Sequence, residues 1–115
     1  MNSKVLSSAI LGIDAYVVEV ECHLTGARIP RFVTVGLPEG AVKESKERVT
    51  AAIRNSGFKI PGKHITINLA PADIRKEGSA FDLPIAIGLL AATGHVMSDY
   101  LGNLLLMGEL ALDGT

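Results

Sequence analysis

The middle of the chain, residues 32–69, has the sequence FVTVGLPEGAVKESKERVTAAIRNSGFKIPGKHITINL. Its central part, residues 39–56, carries Val42, Val49 and Ile53 at the spacing of one helix face. Charged side chains cover the opposite face, and two glutamates each precede a basic residue by four positions, which adds modest support to a helix. The pattern predicts an amphipathic helix over residues 39–56.

The segments on either side of this helix are typical of strands. Residues 32–35 end at a Gly-Leu-Pro turn, and residues 64–69 alternate between apolar and polar side chains. Gly57 is placed where a left-handed residue commonly ends a helix. The segment therefore predicts a strand, a helix and a second strand, whose inward-facing residues are Ile65, Ile67 and Leu69.

Four further elements are predicted outside this segment. Residues 4–11 are a strand candidate, and residues 15–24 are a stronger one because they alternate with the period of a half-buried strand. Residues 80–95 are apolar nearly all round, which predicts a buried helix, and residues 104–112 predict a final strand. The Gly-containing loop at residues 25–28 predicts that the strands before and after it are antiparallel neighbours.

The order of these elements predicts a mixed α/β fold of the α+β type, with two layers, one mixed sheet and two main helices. A chain of 115 residues has room for one domain, which we place at residues 1–115. Asp113-Gly114 after a strand is a hairpin signal, and no return strand follows it in the sequence. We therefore expect a domain truncated at its C-terminal end within a longer protein; the alternative is a natural terminus with frayed last residues.

The composition predicts a cytoplasmic domain without a membrane anchor or a bound metal. Aromatic residues make up only 4% of the chain, so aliphatic side chains must form the core and few rings remain to stack on bases. The longest apolar run, residues 83–92, is shorter than the roughly 20 residues that span a bilayer. Cys22 is the only cysteine, and no Cys/His cluster has the spacing of metal ligands.

Charge is distributed unevenly, although the net charge is only −1. Residues 28–76 contain ten basic and four acidic side chains, whereas residues 77–115 contain five acidic side chains and neither Lys nor Arg. This pattern indicates either a basic face or charges that mix with acidic neighbours after folding. If the face exists, its candidate phosphate contacts are Lys43, Lys46, Arg48, Arg54, Arg75 and Lys76.

Six stretches of the chain resemble a known protein family. They are FVTVGLP (32–38), AVKESKERV (41–49), AAIRNSGF (51–58), INLAPAD (67–73), RKEGSAFDLPIA (75–86) and MGEL (107–110). In this order, and with this spacing, they resemble the ComM/YifB family of magnesium-chelatase-like AAA+ ATPases.

The resemblance implies a Lon-like domain at the N-terminal end of an ATPase, with the fold shared by ribosomal protein S5 domain 2 and the Lon peptidase domain. It also implies DNA processing, since ComM-like members resemble hexameric motors that act on branched DNA during natural transformation. The expected partners are sister domains of a homo-oligomer, a hexamer for the parent protein, and DNA. ATP and Mg²⁺ are expected in the ATPase module, since residues 36–43 lack the spacing of a phosphate-binding loop.

Lon peptidases carry their serine nucleophile in a Lys-Asp-Gly-Pro-Ser-Ala-like run at the start of the central helix. The matching run is Lys-Glu-Gly-Ser-Ala-Phe at residues 76–81, which places Ala80 at the nucleophile position. A methyl group cannot attack a carbonyl, and Ser79, one residue earlier, is turned by about 100° at a helix start. The resemblance therefore implies no peptidase activity. Ser79 is predicted to cap the helix, and Asp82 to be a cap or a solvated charge near the positive helix end.

Three functions stay open at this point. The first is a non-catalytic domain that supports oligomer assembly and contacts DNA without reading its sequence. The second is an atypical Lon-like serine hydrolase that uses another nucleophile. The third is an accessory role in chelatase-type metal insertion.

Overall fold

The computed structural model of the chain describes residues 1–72, 76, 79–97, 99 and 101–115. A four-stranded sheet and two helices follow in the order β1 (Asn2–Leu11), β2 (Asp14–Thr25), β3 (Arg31–Val35), α1 (Glu39–Asn55), β4 (His64–Ala70) and α2 (Asp82–Ala92). A short 3-10 turn lies at Leu101–Asn103. The predicted α+β fold, with a mixed sheet and two main helices, is confirmed.

The strand order in the sheet is β1-β2-β4-β3. β1 and β2 form an antiparallel hairpin, β2 pairs antiparallel with β4, and β3 pairs parallel with β4. The prediction that β2 and β3 are antiparallel neighbours is therefore wrong. The connection through α1 makes β4 parallel to β3, as strand–helix–strand units do. β4 then lies between β3 and β2, so β2 and β3 are not neighbours.

The core lies between one face of the sheet and the two helices. Alternate residues of β2 and β4 point into it, and each is at most 4% exposed: Val18, Val20, Cys22, Leu24, Ile65, Ile67 and Leu69. α2 packs on β1 and β2 and also against α1, which is why it is apolar on nearly every side. The inward-facing residues predicted for β4 are confirmed, and β2 has the alternating burial that its sequence predicted.

The two helices lie close to their predicted positions. α1 ends at Asn55, and Gly57 has a φ of +92°, so the left-handed residue predicted there is confirmed. α2, predicted over residues 80–95, extends over Asp82–Ala92 and is shorter at both ends.

The final strand predicted over residues 104–112 is not formed. Leu105 makes one parallel bridge to Leu6 of β1, and the Leu106 N–H donates to the Leu6 carbonyl at 2.9 Å. Beyond that point the backbone of Gly108 bonds to the start of α2, donating to the Ala80 carbonyl at 2.8 Å. The Gly108 carbonyl also accepts from the Leu83 N–H at 3.0 Å. These bonds to the helix replace the ladder that a strand beside β1 would need.

Candidate functional site

The resemblance to the Lon peptidase domain aligns the nucleophile position of Lon with the residues just before α2. Ala80 occupies that position, and its backbone carbonyl accepts the hydrogen bond from Gly108. Its side chain is a methyl group, which has no lone pair or ionisable proton. The backbone of this residue therefore anchors the C-terminal segment, and its side chain offers no nucleophile.

Ser79 is partly buried and lines a cavity of about 330 Å³ together with Glu44, Arg48 and Glu109. The prediction that Ser79 caps α2 is wrong, since the helix has no side-chain cap hydrogen bond. Because α2 begins only at Asp82, the Ser79 carbonyl accepts from the Asp82 N–H at 3.1 Å in a tight turn. Among the described residues, the Ser79 hydroxyl has no base in hydrogen-bonding contact, which activation for attack requires.

Lys76 lies in the loop before α2 and is only 1% exposed. Its ammonium group donates to the backbone carbonyl of Pro71. The prediction that Lys76 belongs to an exposed basic face is therefore wrong. The aliphatic stem of a lysine can be buried at modest cost when its charged end is hydrogen-bonded, and here the ammonium binds the loop's own backbone.

Asp82 is fully buried, so its prediction as a cap or a solvated charge is wrong. Its carboxylate accepts two hydrogen bonds from Arg48, from Nε at 2.5 Å and from Nη2 at 3.2 Å. The Ser45 hydroxyl donates at 2.9 Å and the Leu110 N–H at 3.2 Å. Charge-assisted bonds of this kind offset the cost of burying a carboxylate, and they join α1, α2 and the C-terminal segment.

The ion pair with Asp82 also determines whether Arg48 is available to bind a phosphate. The hydrogen bond to Asp82 raises the pKa of Arg48 above its ordinary value, against the opposing effect of desolvation. Glu44, one turn earlier on α1, lies 3.8 Å from another guanidinium nitrogen. With a carboxylate on either side, Arg48 is a poor candidate for binding a phosphate, and its role is to hold the two helices together.

Of the other predicted phosphate contacts, three are exposed and one lies outside the described residues. Lys43, Lys46 and Arg54 are exposed on α1. Arg75 lies outside the described residues, so its predicted contact stays a prediction. The five of these basic residues that the structure describes do not form a single surface, because Arg48 and Lys76 are engaged in internal contacts.

A different group of cations surrounds a groove of about 180 Å³ beside α1 and the edge of the sheet. Lys46 and Arg54 line it from the helix, Arg31 lines it from the beginning of β3, and Lys63 from just before β4. Arg31 and Lys63 were not among the predicted contacts. The signal for them was the strand–helix–strand order, because parallel pairing of β3 with β4 brings the beginnings of both strands together.

Within the described part of the chain, no cluster of three or more His, Cys, Asp or Glu side chains could hold a metal ion. In the same part of the chain, no helix has the length and apolar character that crossing a membrane requires.

Residues 18–115 match the family model described as subunit ChlI of Mg-chelatase. Competence protein ComM of Haemophilus influenzae is 50% identical over 110 residues, which cover 96% of this chain and 21% of that protein. The uncharacterized protein YifB of Escherichia coli K12 is 51% identical over 112 residues, covering 97% and 22%. An uncharacterized protein of Mycobacterium tuberculosis is 40% identical over 111 residues, covering 96% and 22%. The chain thus spans about a fifth of the length of the curated relatives it matches.

Proposed function

The chain belongs to the family of subunit ChlI of Mg-chelatase and of the ComM and YifB proteins, and we propose that it is a non-catalytic, Lon-like domain of an ATP-driven DNA motor. In this role it supports assembly of the cytoplasmic homo-oligomer, a hexamer, and contacts DNA without reading its sequence. ATP and Mg²⁺ act in the ATPase module of the parent protein.

The observation that carries the non-catalytic role is the methyl group of Ala80 at the nucleophile position. The groups nearby that could perform acid–base chemistry are held in internal contacts. The Lys76 ammonium is bonded to a backbone carbonyl, and the Asp82 carboxylate accepts four hydrogen bonds. Groups bound in this way support a structural role for the start of α2.

Exposed apolar side chains support the role in assembly. At the end of the β1–β2 hairpin, Ile10 is 76% exposed, Ile13 fully exposed and Val17 55% exposed. Ile10 and Val17 are diagonal neighbours on one sheet face, because Val17 is the register partner of Ser8. Contiguous exposed apolar residues of this kind mark sites of protein–protein contact.

The DNA role is supported by the relative that is named a competence protein, since competence is the uptake of DNA. The basic groove beside α1 supports it independently, because cations clustered on a surface attract the phosphates of nucleic acid whatever the base sequence.

The proposal is tested by ATP hydrolysis of the full-length protein with and without branched DNA. We expect DNA to stimulate hydrolysis, ATP to drive movement of the branch point, and Ser79→Ala to change neither activity. Hydrolysis that is indifferent to DNA, together with ATP-dependent insertion of Mg²⁺ into a porphyrin, would instead establish the chelatase-type role.

A further inference from the structure

We propose that the groove lined by Arg31, Lys46, Arg54 and Lys63, here called the basic groove, binds the phosphodiester backbone of DNA. This inference rests on the proposed function and assigns the DNA contact to one place on the domain. It departs from the basic face suggested by the sequence, since it excludes Lys43, which does not line the groove.

The fold builds the basic groove from α1 and the beginnings of β3 and β4. Lys46, Thr50 and Arg54 follow one another at intervals of four residues and lie along one face of α1. Arg31 begins β3, and its N–H donates to the carbonyl of Lys63, the residue before β4, at 3.4 Å. The parallel pairing of the two strands therefore places two cations opposite the helix.

The four cations of the basic groove lack counterions within the described part of the chain. None of them takes part in an ion pair there, and no acidic side chain lines the groove. Glu44, an acidic residue of α1, is directed to Arg48 instead. Like charges gathered in one concave surface produce a positive potential that a polyanion can neutralise.

Two further side chains, Thr50 and Phe32, shape the groove and the position of Lys46. Thr50 lines the groove between the two helix cations, and its hydroxyl is buried beneath the surface without a hydrogen-bond partner in the described structure. The Lys46 ammonium lies 6.0 Å from the centroid of the Phe32 ring, a contact that favours a lysine position at the groove wall.

The size of the groove points to backbone contact and against base recognition. A volume of about 180 Å³ cannot enclose a duplex, so the cations contact the phosphates of one strand from outside. Apolar side chains, among them Pro30 and Ile60, form the rest of the wall, where a deoxyribose can pack. Binding of this type is independent of base sequence and weakens as salt is raised.

The test measures binding of the full-length protein to a fluorescent branched DNA duplex over a range of salt concentrations. Arg54→Gln and Lys63→Gln should each weaken binding to every sequence alike. Each should also reduce the slope of log K against log salt by about 0.9, the value of one lost phosphate contact. Thr50→Val should leave the salt slope unchanged and the melting temperature equal or higher, because it removes a buried hydroxyl that lacks a partner and carries no charge.

Lys43→Gln is the matched control, because Lys43 is an exposed lysine on the same helix that does not line the groove. It should keep the wild-type salt slope. Thermal unfolding of all four variants separates loss of binding from loss of the fold.

The outcomes distinguish this inference from the proposed function. If the wild-type protein binds the DNA but Arg54→Gln and Lys63→Gln behave like Lys43→Gln, the groove assignment is wrong and the proposed function stands. If the wild-type protein does not bind the DNA even at low salt, both are wrong. If the groove substitutions weaken binding of polyglutamate but leave DNA binding unchanged, the groove is a site for acidic peptides and the DNA assignment is wrong.

Discussion

At the beginning of α2, the Asp82 carboxylate binds Arg48 and Ser45 of α1 and the Leu110 N–H of the C-terminal segment. It is fully buried, whereas 22% of the Arg48 side chain is exposed. Removing one member of a buried, hydrogen-bonded pair leaves the other charge without compensation, which costs more than the pair itself contributes.

We expect Asp82→Asn to lower the free energy of unfolding by about 3 kcal/mol, the low end for a broken buried pair, because the partly exposed Arg48 guanidinium keeps only Glu44 as a counterion. Urea denaturation measures this loss. The control is Glu44→Gln, which removes an exposed pair one turn apart on α1 and should cost at most about 0.5 kcal/mol. Equal effects of the two substitutions would show that Asp82 does not hold the helices together.

The Cys22 thiol is buried in β2, and desolvation raises its pKa from 9.0 to about 11. At pH 8 the thiolate fraction in the folded protein is then on the order of one part in a thousand, so alkylation by iodoacetamide should be far slower than in urea. Because the folded pKa exceeds the unfolded one, this group adds stability below pH 9 that is lost as the pH rises towards 11. Equal labelling rates in native and urea-unfolded protein would contradict the burial.

Single residues near the start of α2 were only partly predictable. The absence of a nucleophile at Ala80 follows from the sequence, because it depends on residue identity. Asp82 could have been recognised as buried, since it is the only charged residue between Ala80 and Gly94 in a helix that is apolar all round. Nothing in the local pattern indicated that Lys76 folds back onto a carbonyl, because this depends on the path of the loop.

Among the elements, the β3–α1–β4 unit depends on the turn between β3 and α1. Gly36 in that turn has a φ of +103°, and a Cβ there would lie 2.5 Å from the Leu69 carbonyl oxygen of β4. The backbone conformation and the close approach to the neighbouring strand therefore both require glycine.

Gly36→Ala should lower the free energy of unfolding by about 2 kcal/mol or more, since a strained left-handed residue and a clash with rigid backbone add together. Gly40→Ala is the matched control, because Gly40 lies in α1 with open space around it. That substitution should raise stability by up to about 1 kcal/mol. Thermal or urea unfolding checks both signs, and a neutral Gly36→Ala would rule out the tight contact between the turn and β4.

Helices and strands were predicted well where their side chains repeat with a regular period. Strand pairing was predicted poorly. The alternation in β2 and β4 and the helical spacing in α1 depend on neighbouring residues, so the sequence contains them in full. Strand order depends on contacts between distant segments, and the loop at 25–28 favoured a pairing that the crossover through α1 prevents. The segment 104–112 has the composition of a strand, but its backbone bonds to α2.

In the whole molecule, the basic middle and the acidic end of the sequence mix only in part. Arg48 from the basic middle forms an ion pair with Asp82 from the acidic end. For this residue, the interpretation that the charges mix after folding is correct. Arg31, Lys46, Arg54 and Lys63 remain without ion-pair partners among the described residues. The basic surface is therefore narrower than the sequence indicated and lies around one groove beside α1.

The central proposal is that the domain is non-catalytic because Ala80 stands at the nucleophile position implied by the resemblance to Lon, and proteolysis tests it most directly. The full-length protein and its Ser79→Ala variant are incubated with unfolded casein and ATP, and in parallel with a fluorophosphonate probe that labels activated serines. We expect no cleavage that depends on residue 79 and no label on Ser79. Casein cleavage that Ser79→Ala abolishes, with labelling of Ser79 in the wild type, would show that the domain is a hydrolase.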